Sequence, residues 1–436
     1  QWKLQTLSFN YLAPATEGSH TIRLDFIVGN VTTSASLVLT VSSVAPPPPT
    51  AAPKTDDGTY AEPTLPVLPA AGGKFTDPTF GVTIMRVTDG NDGTYLSTAY
   101  SYWPTFNCDV TRLVTMNGDG TKLFYAFNPT TFVLGAKSIY SGALDLSNGS
   151  YWHATDPDII YSFKSVDTKL YQRNVSSGVE STVKDFAADI GAGKYIFQPS
   201  MSDDCSVIGF TVKSSADYSP YGYMVYNLNT STVLLYVTDS RINEVHVSKD
   251  GTHASVDLDG PQATRLWNLA DIGTNQYLLF YDPTSSVEGM SHNTMEATNA
   301  VGFTATYTAT ISKWALTNLA RTVLLDIGWA SNITGVAHIS CLADDGDWSL
   351  IGFSDGNPHI TKPFHNELFL IKNDGSGDVY RFCHHRGVFY DYFDSQFANI
   401  SRDGKWVAFT SNWGATTANS RRDVFVVNIP DSPAAS

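Results

Sequence analysis

The stretch of sequence that decides the fold is residues 401–409, Ser-Arg-Asp-Gly-Lys-Trp-Val-Ala-Phe. Its Asp-Gly pair is typical of the tight turn that joins two antiparallel strands, and the apolar run that follows is typical of a buried strand. Turns at the equivalent place recur, with separations of 47, 48, 46, 48, 47 and 58 residues, at Asp109, Asp156, Asp204, Asp250, Thr298, Asp345 and Asp403. A near-constant period of this length, filled with short strands, predicts four-stranded propeller blades. Residues 75–430 therefore predict an all-β domain, a seven-bladed β-propeller.

One strand is missing from the last predicted blade. Residues 81–88 read as a single strand ahead of the first full blade, whereas the blade that begins at Asp403 ends near Asn428 with one strand too few. We expect the early strand to hydrogen-bond to the last blade, because this pairing removes an open sheet edge. The early strand would then close the ring.

The N-terminal part of the chain predicts a separate β segment. Residues 1–43 alternate apolar and polar side chains, which predicts two or three antiparallel strands. Residues 11–21 resemble the closing half of bacterial immunoglobulin-like or PKD-like repeats, so we expect a partial immunoglobulin-like β-sandwich arm. Its missing strands would lie upstream in a longer precursor, come from a neighbouring molecule, or be replaced by packing on the rest of this chain. Strand addition between copies would make residues 1–43 a self-assembly element.

A proline-rich linker joins the two predicted domains. It comprises residues 44–74 and contains four consecutive prolines, Pro46 to Pro49, which favour a stiff and extended chain. Residues 431–436 form a short tail.

The composition excludes several classes of protein. The 436 residues include 42 Asp and Glu against 27 Lys and Arg, which gives a net charge of −15. The chain lacks the basic stripe that nucleic-acid binding needs, and no apolar stretch approaches the roughly 20 residues that span a bilayer. Because the sequence starts at Gln1 without a Met or a signal segment, we interpret it as a processed exported chain or a fragment of a longer one. We expect a secreted, extracellular or cell-surface protein.

The four cysteines are too scattered for a Cys-x-x-Cys zinc site or a disulfide framework. Cys341 and Cys383 fall in neighbouring units of the repeat, so a disulfide between them and two free thiols are both open. For Cys108 and Cys205 we expect buried thiols.

The last third of the propeller resembles known families. Residues 401–413 resemble the TolB/WD40-like repeats of secreted bacterial propellers. Residues 338–413 resemble a group of secreted propellers and are distantly similar to the seven-bladed oligogalacturonate lyases. The resemblance covers residues 75–430 and not the N-terminal arm.

The lyase resemblance implies a base and a metal site. In these lyases a His at the start of one inner strand is the proposed base, and a His one blade later joins a Gln-x-x-His-x-His cluster that holds a divalent metal. By position, His292 matches the base, His338 the first metal ligand and Gln396 the Gln. The two cluster histidines fall on Asn399 and Ser401, which departs from the pattern and weakens the implied site. No cofactor follows from the residues alone; the resemblance implies manganese or calcium.

Eliminative cleavage of a uronide needs a base and a cation that stabilises the developing charge. His292 is the candidate base, Arg386 could neutralise the substrate carboxylate, and Tyr390 or Tyr392 could protonate the leaving oxygen. The alternative for His292 is a hydrogen-bonded position inside the funnel.

Further residues are candidates for contact with substrate. His384 and His385 are adjacent on a predicted strand, so their side chains point to opposite faces and cannot both line one site. Trp103 and Trp413 could stack on neutral sugars at the propeller mouth, or pack between blades.

Two functions remain open, and the sequence does not decide whether the protein is an enzyme. The first is a secreted or cell-surface module that binds a glycan or a protein at the propeller mouth. The second is a divergent polysaccharide lyase acting by β-elimination. The net charge favours the first, because an acidic protein repels a polyanionic substrate.

Overall fold

A computed structural model describes the following residues: 18–28, 31–41, 52–259, 264–272, 277–279, 291–304, 310–327, 336–354, 362–429 and 431–435. The chain divides into two compact units, residues 1–51 and 52–436.

The described part of the first unit is a β-hairpin. Strands β1 (Gly18–Val28) and β2 (Val31–Val41) pair antiparallel, with Gly18 opposite Val41 and Val28 opposite Val31. The alternating pattern of residues 1–43 predicted these strands. The interpretation of the hairpin as part of an immunoglobulin-like sandwich stays a prediction.

The described part of the second unit contains seven antiparallel sheets. The first sheet consists of β5 (Leu96–Ser97), β6 (Arg112–Asn117), β7 (Lys122–Asn128) and β8 (Val133–Tyr140). The second consists of β9 (Ser150–Trp152), β10 (Ile159–Phe163), β11 (Lys169–Asn174) and β12 (Glu180–Asp185). The third consists of β13 (Lys194–Met201), β14 (Val207–Ser214), β15 (Pro220–Asn227) and β16 (Thr232–Thr238). The fourth consists of β17 (Ile242–Val247), β18 (His253–Leu258), β19 (Thr264–Asn268) and β20 (Leu278–Leu279).

The remaining sheets complete the ring. The fifth consists of β21 (Ser291–Met295), β22 (Asn299–Thr304), β23 (Thr310–Ala315) and β24 (Arg321–Asp326). The sixth consists of β25 (Val336–Ser340), β26 (Trp348–Ser354), β27 (Glu367–Lys372) and β28 (Val379–His384). The seventh has five strands, β29 (Asn399–Ile400), β30 (Trp406–Ser411), β31 (Asp423–Asn428), β4 (Thr83–Arg86) and β3 (Lys74–Thr76). The prediction of a seven-bladed all-β propeller is confirmed.

Helix is scarce in the described residues. One α-helix spans Ala187–Ile190, and two short 3-10 turns span Leu146–Asn148 and Tyr392–Asp394. None of the described helices has the length and apolar character needed to cross a membrane.

The seventh sheet joins the two ends of the propeller sequence. Strand β31 pairs with β4, with Val426 opposite Met85, so the predicted ring closure is confirmed. Strand β3 adds to the outer edge of β4, which the sequence did not predict. A buried ion pair of 2.7 Å between Arg86 and Asp423 links the same two strands.

Hydrophobic clusters fill the spaces between successive sheets. Seven clusters of buried side chains are described, and each contains residues from two neighbouring sheets. Between the seventh and first sheets, for example, the rings of Trp406 and Phe127 lie 5.0 Å apart, edge to face. The core is therefore a ring of interfaces that surrounds a central axis.

Residues 52–73, which we assigned to the linker, pack against the propeller. The backbones of Lys54 and Arg381 exchange hydrogen bonds of 2.9 and 2.8 Å at the edge of the sixth sheet. The fully buried Arg381 side chain donates to the carbonyl oxygens of Asp56 and Gly58 and pairs with Glu367 at 2.6 Å. We call residues 52–73 the strap.

Of the two possibilities left open for Cys341 and Cys383, the structure has the free thiols, and all four cysteines are free. Cys341 directly follows the first strand of the sixth sheet, whereas Cys383 lies on the fourth strand of the same sheet. Three strand spacings of about 4.8 Å separate these positions by roughly 14 Å, beyond the reach of a disulfide. The two thiols belong to different hydrophobic clusters. Cys108 and Cys205, expected to be buried, are partly exposed.

Candidate functional site in the central channel

The first strand of each sheet faces the centre of the ring. Strand β9 contacts β13, β13 contacts β17, β17 contacts β21, β21 contacts β25, and β25 contacts β29. Side chains on these inner strands therefore meet around one axis, although they are distant in sequence.

Two carboxylates and an imidazole converge on the fourth sheet. Glu244 and His246 lie two positions apart on β17 and share a face of the sheet. Asp257 on β18 lies directly opposite Glu244 in the strand register. A register shift between Ile242 and Glu244 marks a β-bulge, a feature that re-aims side chains next to functional sites. Ligand atoms of Glu244, His246 and Asp257 all lie within 4.8 Å of one another. We call these three residues the β17–β18 cluster.

Neighbouring side chains hold this cluster in place. The Nε2 atom of His246 lies 3.2 Å from Oε2 of Glu244, and the hydroxyl of Tyr102 donates to Oε1 of Glu244 at 2.5 Å. Burial raises the pKa of Tyr102 well above its usual value, so this phenol remains a donor. Asn293 on β21 donates from Nδ2 to Oδ2 of Asp257 at 2.5 Å.

The environment of Asp257 favours its protonated form. Burial raises the pKa of Asp257 to about 7; the nearby His246 opposes this shift and Glu244 adds to it. The other oxygen of the same carboxyl group, Oδ1, is buried without a hydrogen-bond partner.

Aromatic rings connect the cluster with His338 on β25. The Tyr102 ring lies 4.6 Å from His246 and 4.5 Å from Tyr100. Tyr100 in turn lies 5.0 Å from His338, which also contacts Phe397 at 4.9 Å. These rings form a continuous layer across the channel.

A cavity of about 590 Å³ lies against this layer. Its aromatic lining consists of Tyr95, Tyr100, Tyr102, Trp103, Tyr392, Phe393 and Phe397. Polar groups in the lining include Asn148, Gln198, Glu244 and Arg422. We call this space the channel cavity.

The rim of the channel cavity carries exposed rings. Phe393 is 62% exposed, Tyr392 46% and Tyr95 38%. The guanidinium carbon of Arg422 lies 5.3 Å from the centre of the Tyr95 ring and 5.7 Å from that of Phe393. Trp103, a predicted substrate contact, also lines the cavity, but it is 4% exposed and donates from Nε1 to the carbonyl of Pro199.

His338 and Gln396 lie side by side. In the register of β25 and β26, His338 is opposite Gly352, which has no side chain. The Gln396 amide occupies the space above Gly352, because a Cβ there would lie 2.2 Å from Nε2 of Gln396. Both His338 and Gln396 are fully buried. Of His292, the backbone on β21 is described, but the side chain lies outside the described part of the structure. Its role stays a prediction.

Arg386, the candidate partner for a substrate carboxylate, lies instead beside the seventh sheet. It is fully buried, and its Nη2 atom pairs with Oδ2 of Asp77 at 2.9 Å. Burial favours protonation of Asp77, but the hydrogen bond and charge of His384 and the charge of Arg386 lower its pKa to about 2. Trp413 packs 5.5 Å from the Arg386 guanidinium and stacks on Phe425 at 4.9 Å. This placement favours structural roles for Arg386, His384 and Trp413.

His385 and Tyr390 also form hydrogen bonds with backbone groups of the protein. His385 Nε2 bonds the carbonyl of Phe353 at 2.8 Å, and its Nδ1 accepts from the backbone N–H of Gly387 at 3.1 Å. Burial lowers the pKa of His385 to about 3, so this ring is neutral. His384 and His385 contact different partners, as expected for adjacent residues of a predicted strand whose side chains point to opposite faces. Tyr390 is exposed and donates to the carbonyl of Ala415 at 3.1 Å.

Comparison with solved structures finds lyases of similar fold. An oligogalacturonate lyase in complex with manganese is 15% identical with a TM-score of 0.62, and the match covers 86% of this chain and 99% of that chain. An oligogalacturonate lyase from Vibrio parahaemolyticus is 14% identical with a TM-score of 0.61, covering 82% of this chain and 97% of that chain. TolB from Acinetobacter baumannii is 16% identical with a TM-score of 0.36, covering 66% and 64%. For the two lyases the likeness is one of fold.

Comparison of the sequence itself gives no match. No protein-family model and no curated protein matches this chain. The structural matches to the two lyases confirm the resemblance inferred from residues 338–413 for the propeller architecture alone.

The residues at the expected metal position do not fit a divalent ion. Of His338, Gln396, Asn399 and Ser401, whose side chains the structure describes, only His338 supplies an imidazole. Gln396 uses Oε1 to accept from Ser354 at 2.8 Å, and Asn399 uses Oδ1 to accept from the backbone of Thr105 at 3.2 Å. Ser401 donates to Asp403 at 2.5 Å. A single imidazole with neutral amide and hydroxyl groups lacks the charged donors that supply most metal affinity.

The β17–β18 cluster was missed in the sequence analysis, although one signal could have indicated it. His246 precedes His292 by 46 residues, the same interval that separates His292 from His338. The partnership of Glu244 with Asp257 has no sequence signature, because it depends on the register of two strands.

Proposed function

We propose that this protein binds a neutral saccharide in the channel cavity, as a module that acts outside the cell or at its surface. The observation that carries the proposal is the combination of exposed rings at the rim with polar groups inside. Sugar rings present an apolar face to an aromatic side chain and hydroxyl groups to amides and carboxylates. The cavity size is within the range of small-ligand sites.

The charge of the protein favours a neutral ligand over an anionic one. The net charge is −15, and Glu244 lines the cavity. Arg422 is a cation in the same lining, but it lies 3.7 Å from Asp394, which offsets its charge. A polyanionic chain would be repelled on approach.

The test is calorimetric titration of the full chain with neutral and acidic oligosaccharides. Phe393→Ala and Tyr392→Ala should weaken binding about tenfold or more, because each removes a stacking ring worth on the order of 1.4 kcal/mol. Tyr218→Ala is the matched control, because Tyr218 is 61% exposed in the turn between β14 and β15 and does not line the cavity. Failure of every neutral saccharide to bind, or equal binding by Phe393→Ala and the unchanged protein, would contradict the proposal.

A second candidate is β-elimination on a uronide, and one observation favours it. His338 and Gln396 lie together in the channel, at the positions that the resemblance assigns to a metal ligand and its Gln. In this alternative His292 acts as the base. The experiment follows the ultraviolet absorbance of unsaturated product with a panel of polyuronates, with and without manganese or calcium. A lyase gives a rise that His292→Ala abolishes, whereas a flat trace across the panel eliminates this candidate.

We also propose that the hairpin β1–β2 mediates self-assembly. A two-stranded hairpin is marginally stable alone and offers unpaired edges for strand addition. Sedimentation of the full chain should depend on concentration, and removal of residues 1–43 should abolish that dependence. Assembly that persists without these residues would exclude the hairpin as the contact.

A further inference from the structure

We propose that Glu244, His246 and Asp257 bind one divalent transition-metal ion, Mn²⁺ or Zn²⁺. The site would lie on the fourth sheet, and not at the His338 and Gln396 position that the lyase resemblance implies. The site shares Glu244 with the lining of the channel cavity, but its test uses the metal ion alone and does not depend on saccharide binding.

The geometry of the cluster is close to that of a coordination sphere. Its ligand atoms already lie within 4.8 Å of one another, and Nε2 of His246 is 3.2 Å from Oε2 of Glu244. Bonds of about 2.1 Å to one ion place neighbouring ligand atoms roughly 3–4 Å apart. Small side-chain movements on two adjacent strands therefore suffice to complete the site.

The charges of the cluster also favour a cation. Glu244 and Asp257 are directly opposed across β17 and β18, an arrangement in which two like charges destabilise a sheet. His246, on the same face of β17 as Glu244, is 3% exposed. A divalent ion would offset both carboxylates at once, whereas one proton on Asp257 offsets only one of them.

The surrounding residues hold the ligand atoms in place through hydrogen bonds, as residues next to metal ligands do. Asn293 holds Oδ2 of Asp257 and leaves the buried Oδ1 without a hydrogen bond. Ser255 donates to Oδ1 of Asn293 at 2.9 Å and fixes its amide, while Tyr102 holds Oε1 of Glu244. Such outer contacts fix ligand orientation and raise affinity.

The donor set narrows the choice of metal. One imidazole with two carboxylates suits Mn²⁺ or Zn²⁺, whereas Ca²⁺ prefers oxygen ligands alone. Glu244 and Tyr102 line the channel cavity, which gives an ion and its remaining water ligands a route to the site.

The test titrates MnCl₂ and ZnCl₂ into the chelator-treated full chain, with calorimetry and thermal denaturation as readouts. The unchanged protein should bind one ion per chain and melt at a higher temperature. His246→Asn and Asp257→Asn should each weaken binding at least tenfold, and Asn293→Ala about 10- to 100-fold. The matched control is His253→Asn, on the same strand β18, which should bind as the unchanged protein does.

A second measurement tests the proposal even if the variants of the ligand residues fail to fold. Pulsed electron paramagnetic resonance of Mn²⁺ bound to the unchanged chain should detect one imidazole nitrogen, and that coupling should persist in His338→Asn. Absence of metal binding by the unchanged protein would overturn the proposal. So would binding that depends on His338 and not on His246.

Discussion

The guanidinium of Arg381 on the sixth sheet and the carboxylate of Glu367 beside it form an ion pair of 2.6 Å from which solvent is excluded. The same guanidinium donates to two carbonyl groups of the strap. One side chain therefore links the residues ahead of the propeller to its sixth sheet.

Removal of the Arg381 guanidinium should lower the free energy of unfolding much more than loss of a surface ion pair does. Arg381→Met leaves the Glu367 carboxylate buried without its partner, so we expect the free energy of unfolding to fall by roughly 3–5 kcal/mol. Urea unfolding followed by fluorescence measures the change. The double variant Arg381→Met/Glu367→Gln should recover part of the loss, and a loss of under 1 kcal/mol in Arg381→Met would refute this account.

The two N-terminal truncations of the chain should differ sharply in their effects. Removal of residues 1–51 leaves the strap and the seventh sheet intact, so the melting temperature of the propeller should barely change. Removal of residues 1–86 deletes β3 and β4 and exposes the edge of β31, so stability should fall strongly and aggregation should increase. Thermal denaturation with light scattering distinguishes the two. Equal melting temperatures would show that closure contributes nothing.

His385 should make the propeller sensitive to mild acid. Its pKa is about 3 in the folded protein because of burial, against 6.5 as the usual value, so the unfolded chain binds the extra proton first. Stability is therefore full above pH 6.5 and declines as the pH falls from 6.5 toward 3, by up to about 1.4 kcal/mol per pH unit from this group. Urea unfolding between pH 7 and pH 4 measures the slope.

The control for this prediction is His385→Gln, which keeps a polar group of similar size without the titration. Its unfolding free energy should be lower at pH 7 and should fall less steeply with acid. An identical slope in both proteins would show that other groups determine the acid response.

A methyl group on Gly352 should disturb Gln396. The added Cβ of Gly352→Ala would lie 2.2 Å from Nε2 of Gln396 and would displace the amide from its hydrogen bond with Ser354. We expect a loss of about 1–3 kcal/mol in the free energy of unfolding. The variant Gly352→Ala/Gln396→Ala should lose less than the sum of the two single changes, since the clash is gone. Strict additivity would argue against the contact.

The sequence was most informative about local structure. The turn at Asp403 and its equivalents identified the blades, because a turn and the strand after it are encoded by adjacent residues. Ring closure by residues 81–88 followed from the same count, because an unpaired edge is unfavourable wherever it occurs.

Contacts between distant residues could not be predicted in this way. Tyr102 and Glu244 are 142 positions apart and meet only because the ring brings the first and fourth sheets to one axis. The pairing of Cys341 with Cys383 stayed open for the same reason, because position along the repeat does not reveal which strand of a sheet a residue occupies. The strap, held by Arg381, gave no periodic signal.

The seventh sheet combines strands from both ends of the propeller sequence, and this affects when the ring can close during synthesis. Residues 83–86 leave the ribosome well before their partner strand at 423–428, because Arg86 and Asp423 are 337 positions apart. The ring cannot close during translation until residues 423–428 have emerged. A chain that terminates before residue 423 keeps an open strand edge, which favours aggregation, so the seventh sheet makes closure depend on synthesis of the whole propeller.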